Sequence, residues 1–233
     1  FVGMHPIPIR YGLTAGELAV FINQEDYLKN QVKANLTVIE LQGWQRDQWY
    51  DQLDLPWIAP SPNMPDLETA IVYPGMCFFE GTNISEGRGT DSPFLIFGAP
   101  WIDSEEIAKK LRELDLEGVR FISEDFTPEV IPGKAANPKY KGQKCGGIRL
   151  KITDRDTYRP IKAAVKILAV IYQKYPEKFA WRKNSIDRLT GSNQLRKAFE
   201  NNKNIDALIK SWETEARAFQ NFSKKYYKYG ADK

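Results

Sequence analysis

Between Tyr73 and Thr90 the chain reads YPGMCFFEGTNISEGRGT: an apolar run from Met76 to Phe79 stops at Glu80, and glycines then alternate with charged and hydrogen-bonding side chains. So much glycine rules out a long regular helix or strand there, because each glycine gives up the most backbone freedom on ordering. The residues after Phe79 are therefore expected to form a polar loop at the rim of a packed scaffold, where ligands are gripped. Its charged groups are Glu80, Glu86 and Arg88, and its short polar ones include Thr82, Asn83 and Ser85.

Composition narrows the function classes. The chain has 233 residues, 33 Lys plus Arg against 30 Asp plus Glu, a formal charge of +3 and a pI near 8.7. That is room for one large domain or two smaller ones, and the slight basic excess is no stripe for nucleic acid. The basic run Lys224 to Tyr229 reads as a solvated helix end. No apolar stretch reaches the roughly 18 residues of a membrane span, so no transmembrane segment is expected. The opening at Phe1 lacks a charged and then apolar leader and reads as a start from which preceding sequence has been removed. One histidine, His5, excludes a His-based metal cluster or a Ser-His-Asp triad within the chain. No Gly-Lys-Ser/Thr sequence closes the glycine strip as in a phosphate-binding loop. Neither a metal nor a cofactor is expected. Cys77 and Cys145 form either one disulfide or two buried thiols.

The remaining segments give an α+β fold: a mixed, mainly antiparallel sheet flanked by helices, with a helical C-terminal region. Thr14-Ala15-Gly16-Glu17 is a capping box opening a helix to about Leu28. Leu36 to Leu41 alternates, is rich in β-branched residues, and predicts a strand with one buried face. Prolines 60, 62 and 65 predict a rigid loop. Asp66 caps a short helix, Phe94 to Phe97 is an apolar strand, and Asp103 begins another helix. A short strand covers residues 119–122, a half-exposed one Gly147 to Thr153, and Arg159-Pro160 opens a long helix ended by Pro176. The loop at 127–144 is long enough to be functional or mobile.

Two carboxylates near one saccharide oxygen divide acid and base work in glycoside hydrolysis, and Glu80 and Glu86 are candidates for that pair. The structural alternative has Glu80 accepting backbone N–H groups and Glu86 paired with Arg88. Arg88, between Gly87 and Gly89, is suited either to clamping a ligand carboxylate or to a structural ion pair. Trp44, Trp49, Trp57, Tyr73 and Trp101 offer faces for sugar stacking or serve as core.

Pro6 to Ala19, Trp44-Gln45-Arg46, Pro60 to Pro65, the Tyr73 to Thr90 strip, Phe97 to Trp101, Cys145-Gly146-Gly147 and Thr153-Asp154-Arg155 together resemble the NamZ-like exo-β-N-acetylmuramidases, in order, to about Leu189. That family is two-part, with a Rossmann-like N-terminal domain, a smaller C-terminal α+β domain and a cleft at their junction. The resemblance implies that residues 1–30 are the end of the first part and 31–233 the second. It also implies that most of the Rossmann-like domain, with the glutamate usually thought catalytic, lies outside this chain and acts as its partner. The implied activity is release of terminal N-acetylmuramic acid from peptidoglycan-derived muramyl saccharides, by an exported, periplasmic or envelope-associated protein. Asn63, Tyr73, Thr82, Asn83, Ser85 and Arg88 are the implied substrate-binding residues, with Arg88 on the lactyl carboxylate, Asn83 or Ser85 on the amide and Tyr73 against the sugar face. The chain departs from the family in having Tyr11 and Leu13 where His and Met are common. The alternative is a non-catalytic module that binds cell-wall glycan or docks another domain.

Overall fold

A computed structural model describes residues 4–230, which fall into two compact units: one of residues 4–56 and 209–230, the other of residues 57–208. The described helices are α1 (Ala15–Gln24), α2 (Leu67–Met76), α3 (Ser104–Arg112), α4 (Pro160–Lys174), α5 (Lys183–Leu189), α6 (Gln194–Glu200) and α7 (Ile205–Ser223). The strands are β1 (Ile96–Ala99), β2 (Val119–Ser123) and β3 (Gly146–Ile152). This is an α+β fold, as the mixed pattern predicts.

In the first unit the capping box forms as expected: Thr14 Oγ1 accepts from Glu17 N while Glu17 Oε2 accepts from Thr14 N at 2.8 Å. α1 ends at Gln24, short of Leu28, and buries Phe21 among Leu13, Tyr226, Phe219 and Tyr27. The C-terminal run is not a solvated end. Tyr226 is buried in that cluster, Lys225 pairs with Glu25 at 2.7 Å, and the Lys228 amide donates to Glu17 Oε1 at 2.7 Å.

Leu36 to Leu41 forms no strand, which corrects the sequence expectation. Leu36, Ile39 and Leu41 are 40%, 88% and 65% exposed. Alternation and β-branching describe a side-chain pattern, whereas a strand needs a hydrogen-bonded neighbour, and no such ladder forms here among the described residues. Val38 instead lies against α1, so close to Gly16 that a Cβ there would stand 2.6 Å from it.

Glu17 is the polar centre of this unit. Its side chain is fully buried, and it accepts from Thr14 N, Lys228 N and the Arg46 guanidinium, which itself lies over the Tyr227 ring. Burial raises its pKa, but those donors outweigh the burial and leave the carboxyl below its ordinary value of 4.5. A carboxyl depressed in the folded state contributes stability that is present above the unfolded pKa and is lost as pH falls through the folded one. Glu17→Gln is expected to cost about 3 kcal/mol at pH 7, because Arg46 loses its buried counter-charge. It should also flatten the fall in stability below pH 4.5, and urea melts at neutral and acid pH check both.

In the second unit β3 is central, antiparallel to β1 and β2 in the order β1-β3-β2. Ile148 and Leu150 point to the core, while Lys151 is exposed and Arg149 only partly covered, the alternation of a sheet wet on one face. α3 and α4 supply Ile107, Leu111, Ala164, Val165 and Leu168, all fully buried, each such aliphatic side chain larger than alanine contributing about 2 kcal/mol. Asp66 and Asp103 cap α2 and α3 through Thr69 N and Glu106 N. Gly75 lets α2 approach α4 so closely that a Cβ would stand 2.0 Å from Pro160 O.

Candidate functional site

Pro74 inside α2 removes one helical donor, and the chain continues from the helix as a 3₁₀ turn at Cys77–Gly81 that delivers Glu80 to the surface. The loop that follows is fastened on both sides. Ser85 exchanges backbone hydrogen bonds with Gly98 of β1 (2.8 and 3.0 Å), and Asn83 N donates to Ala180 O at 3.0 Å. Gly81 O accepts from Arg182 N at 2.8 Å, and a Cβ at Gly81 would meet the Ile186 backbone at 2.7 Å. Phe94 N donates to Glu86 O at 2.7 Å, and Phe94 itself has φ +66°, a strained setting for an aromatic residue.

Four charged side chains then form a row. Arg88 Nη2 donates to Glu80 Oε1 at 2.7 Å, and its Nε lies 3.4 Å from Glu86 Oε1. Glu86 Oε2 accepts from Lys139 Nζ at 2.8 Å. Glu86 is buried and Lys139 nearly so, with 6% and 11% of their side-chain surface exposed, whereas Arg88 and Glu80 keep 31% and 28%. Burial pushes the Lys139 ammonium below its ordinary value, against the pull of Glu86 beside it. The Arg88 guanidinium lies 5.1 Å from the Phe94 ring centre, and the Tyr73 ring meets that ring edge-on at 4.9 Å. Burial first, then Cys77 and Glu80, raise the Tyr73 hydroxyl pKa, so Tyr73 remains a donor.

The residues named from the sequence divide into two groups. Glu80, Arg88 and Tyr73 gather at the partly exposed end of the row. Glu86 is covered, with its carboxylate held by Lys139 and Arg88. Of the structural alternative considered above, the Glu86–Arg88 pair forms, at 3.4 Å, but Glu80 also takes the guanidinium and is its nearer partner, at 2.7 Å. Thr82 is fully buried, donating to Phe79 O and accepting from Ile84 N. Ser85 Oγ, also buried, accepts from Gly87 N. The Asn83 amide is tied to Lys178 O at 2.7 Å and Ala180 N at 2.9 Å, and Asn63 Nδ2 to Lys134 O at 2.7 Å. Thr82, Asn83 and Ser85 thus build the loop, because a strip with few regular backbone bonds must satisfy its polar groups through its own side chains, whereas Asn63 ties the proline-rich 60–65 segment to the 127–144 loop. Cys77 and Cys145 are free and buried, their thiols pushed up to about 12 and about 11 chiefly by burial, and are unreactive at neutral pH.

Lys139 and Tyr140 were not singled out from the sequence. Tyr140 OH donates to Asn83 O at 2.6 Å and accepts from Trp101 Nε1 at 3.3 Å. Both belong to the long 127–144 loop, and that length was the available signal.

The model described as exo-beta-N-acetylmuramidase NamZ, C-terminal, matches residues 71–229, and that described as exo-beta-N-acetylmuramidase NamZ, N-terminal, matches residues 1–68. The peptidoglycan beta-N-acetylmuramidase NamZ of Bacillus subtilis (strain 168) is 40% identical over 230 residues, which cover 98% of this chain and 53% of that protein. Two solved DUF1343 family proteins from Bacteroides fragilis NCTC 9343 superpose with TM-scores of 0.87 and 0.76 at 28% and 29% identity. The matches cover 96% and 98% of this chain and 58% of each solved chain. The chain thus spans about half the length of the curated relative it matches. With the glycine strip, its charged row and both matched regions in one sequence, the chain belongs to the exo-beta-N-acetylmuramidase NamZ family.

Proposed function

We propose that this chain is the C-terminal, substrate-binding part of an exo-acting glycoside hydrolase that releases N-acetylmuramic acid from peptidoglycan fragments in the cell envelope. The observation that carries this reading is the partly exposed Glu80–Arg88 pair over the Phe94 ring, backed by buried Glu86 and Lys139. A guanidinium has five N–H groups. Arg88 directs Nη2 and Nε at carboxylates of its own chain, which leaves Nη1 to meet the lactyl carboxylate of a muramyl residue. Tyr73 offers a ring edge and a protonated hydroxyl beside it, and Glu80 brings a fixed carboxylate to the sugar. In this reading a second carboxyl group comes from the family's other part.

Arg88→Ala in the full-length protein is expected to lower kcat/KM on muramyl substrates about 30-fold, the loss of one charge-assisted contact. On a lactyl-free glucosaminide the change should stay within about threefold, because the substrate then has no carboxylate for the arginine to meet. Equal losses on both would refute the clamp. Tight calorimetric binding of muramyl fragments by the isolated chain, with no hydrolysis in the full-length protein, would favour the glycan-binding module instead.

A further inference from the structure

Lys139 closes the inner end of the charged row. Its ammonium carries three N–H donors, and three acceptors stand at 2.8 Å: Phe79 O, Ile84 O and Glu86 Oε2. Every donor is therefore engaged inside the fold, and Lys139 is not a cation that a substrate reaches. Its two carbonyl partners bracket the turn from Glu80 to Asn83, and its carboxylate partner faces Arg88 Nε at 3.4 Å. The signs alternate from the interior outward, Lys139 to Glu86 to Arg88 to Glu80, and only the last two side chains are substantially exposed.

We propose that Lys139 is a positioning residue for the substrate-facing Glu80–Arg88 pair, acting through Glu86. A buried carboxylate deprived of one cation turns to the next, because an uncompensated charge in the interior is costly. With Lys139 in place, Glu86 is neutralised from below and holds Arg88 only loosely, at 3.4 Å, so the guanidinium stays on Glu80 at 2.7 Å. Without Lys139 the nearest cation to Glu86 is Arg88, and closing that contact draws the guanidinium inward, away from Glu80 and from any ligand. Lys139 also ties Phe79 O to Ile84 O, which fixes the backbone carrying Glu80. This inference rests on the proposed muramyl-binding role of the pair.

The experiment compares Lys139→Met, the double variant Lys139→Met with Glu86→Gln, and Lys139→Arg in the full-length protein. Lys139→Met is expected to reduce kcat/KM on muramyl substrates about 30-fold, a displacement effect, and to abolish the preference for them over a lactyl-free glucosaminide. The double variant, in which nothing pulls Arg88 inward, should return to within about fivefold of wild type, and Lys139→Arg should fall between. A purely structural lysine would lower Tm, which the double variant would restore by removing the stranded charge, while selectivity stayed unchanged throughout; unchanged selectivity in Lys139→Met, or selectivity that the double variant fails to restore, overturns the proposal. A second readout needs no activity. In the ¹⁵N-arginine-labelled chain the Arg88 Nε–H signal, assigned by its loss in Arg88→Lys, should move in Lys139→Met and return in the double variant. An unmoved signal overturns the positioning role even if muramyl hydrolysis is found. A moved and restored signal in a protein that releases no muramic acid upholds the positioning role and rejects the function.

Discussion

On the proposed function, Glu80→Gln in the full-length protein is expected to lower turnover of muramyl substrates by about 100-fold or more while KM stays within about threefold, the range associated with losing a positioned proton-transfer or charge-stabilising carboxylate. Glutamine keeps the size of the side chain and an oxygen that still accepts from Arg88 Nη2, so the position of the arginine is preserved and only the charge is removed. The same change should leave Tm almost unaltered. Glu80 and Arg88 keep 28% and 31% of their side-chain surface exposed, and ion pairs so placed contribute about 0–1 kcal/mol. Steady-state kinetics together with a thermal melt therefore separate chemistry from scaffold. Unchanged turnover with a lowered Tm would remove Glu80 from the mechanism and leave it a loop residue. Glu86→Gln is predicted to behave in the opposite way, costing more stability than Glu80→Gln because it strands the buried Lys139 charge.

Gly87→Ala should be among the most damaging single substitutions in the second unit, at about 4 kcal/mol. Gly87 has φ +78°, and a Cβ there would stand 2.4 Å from Ile96 O and 2.8 Å from Ile96 Cγ2. Left-handed backbone alone costs an L-residue roughly 1–2 kcal/mol, and the remainder comes from pushing the loop off β1. Gly142→Ala is the matched control. Its φ is +69°, yet nothing lies within 4 Å of the added Cβ, so only the conformational part, about 1 kcal/mol, should appear. Chemical denaturation of the two variants yields the steric part by difference, and equal losses would show that Gly87 does not fix the loop against Ile96. Because Glu86 and Arg88 flank this glycine, its substitution should also displace both side chains and abolish activity in whatever fraction stays folded.

The parts of the molecule legible in the sequence are those whose causes are local. The Thr14 box, the Asp66 and Asp103 caps, Pro160 at the start of α4 and the alternation through Ile148 and Leu150 each depend on side chains within a few residues of one another, so periodicity and capping rules reach them. The glycine strip was likewise visible as a loop, and its family blocks as a resemblance. Leu36 to Leu41 shows the limit: its residues favour a strand, but strand formation depends on a neighbour, which no local pattern reports. The site divides along the same line. That Glu80 and Arg88 belong to one loop follows from the sequence. Which carboxylate lies nearer the guanidinium, and which is covered, emerges only in the fold, where Lys139, 53 residues beyond Glu86 in the chain, closes on Glu86. Burial of that ammonium is a property of the assembled core, because the energy of a charge is set by every group and every water around it, and only the folded chain brings those together.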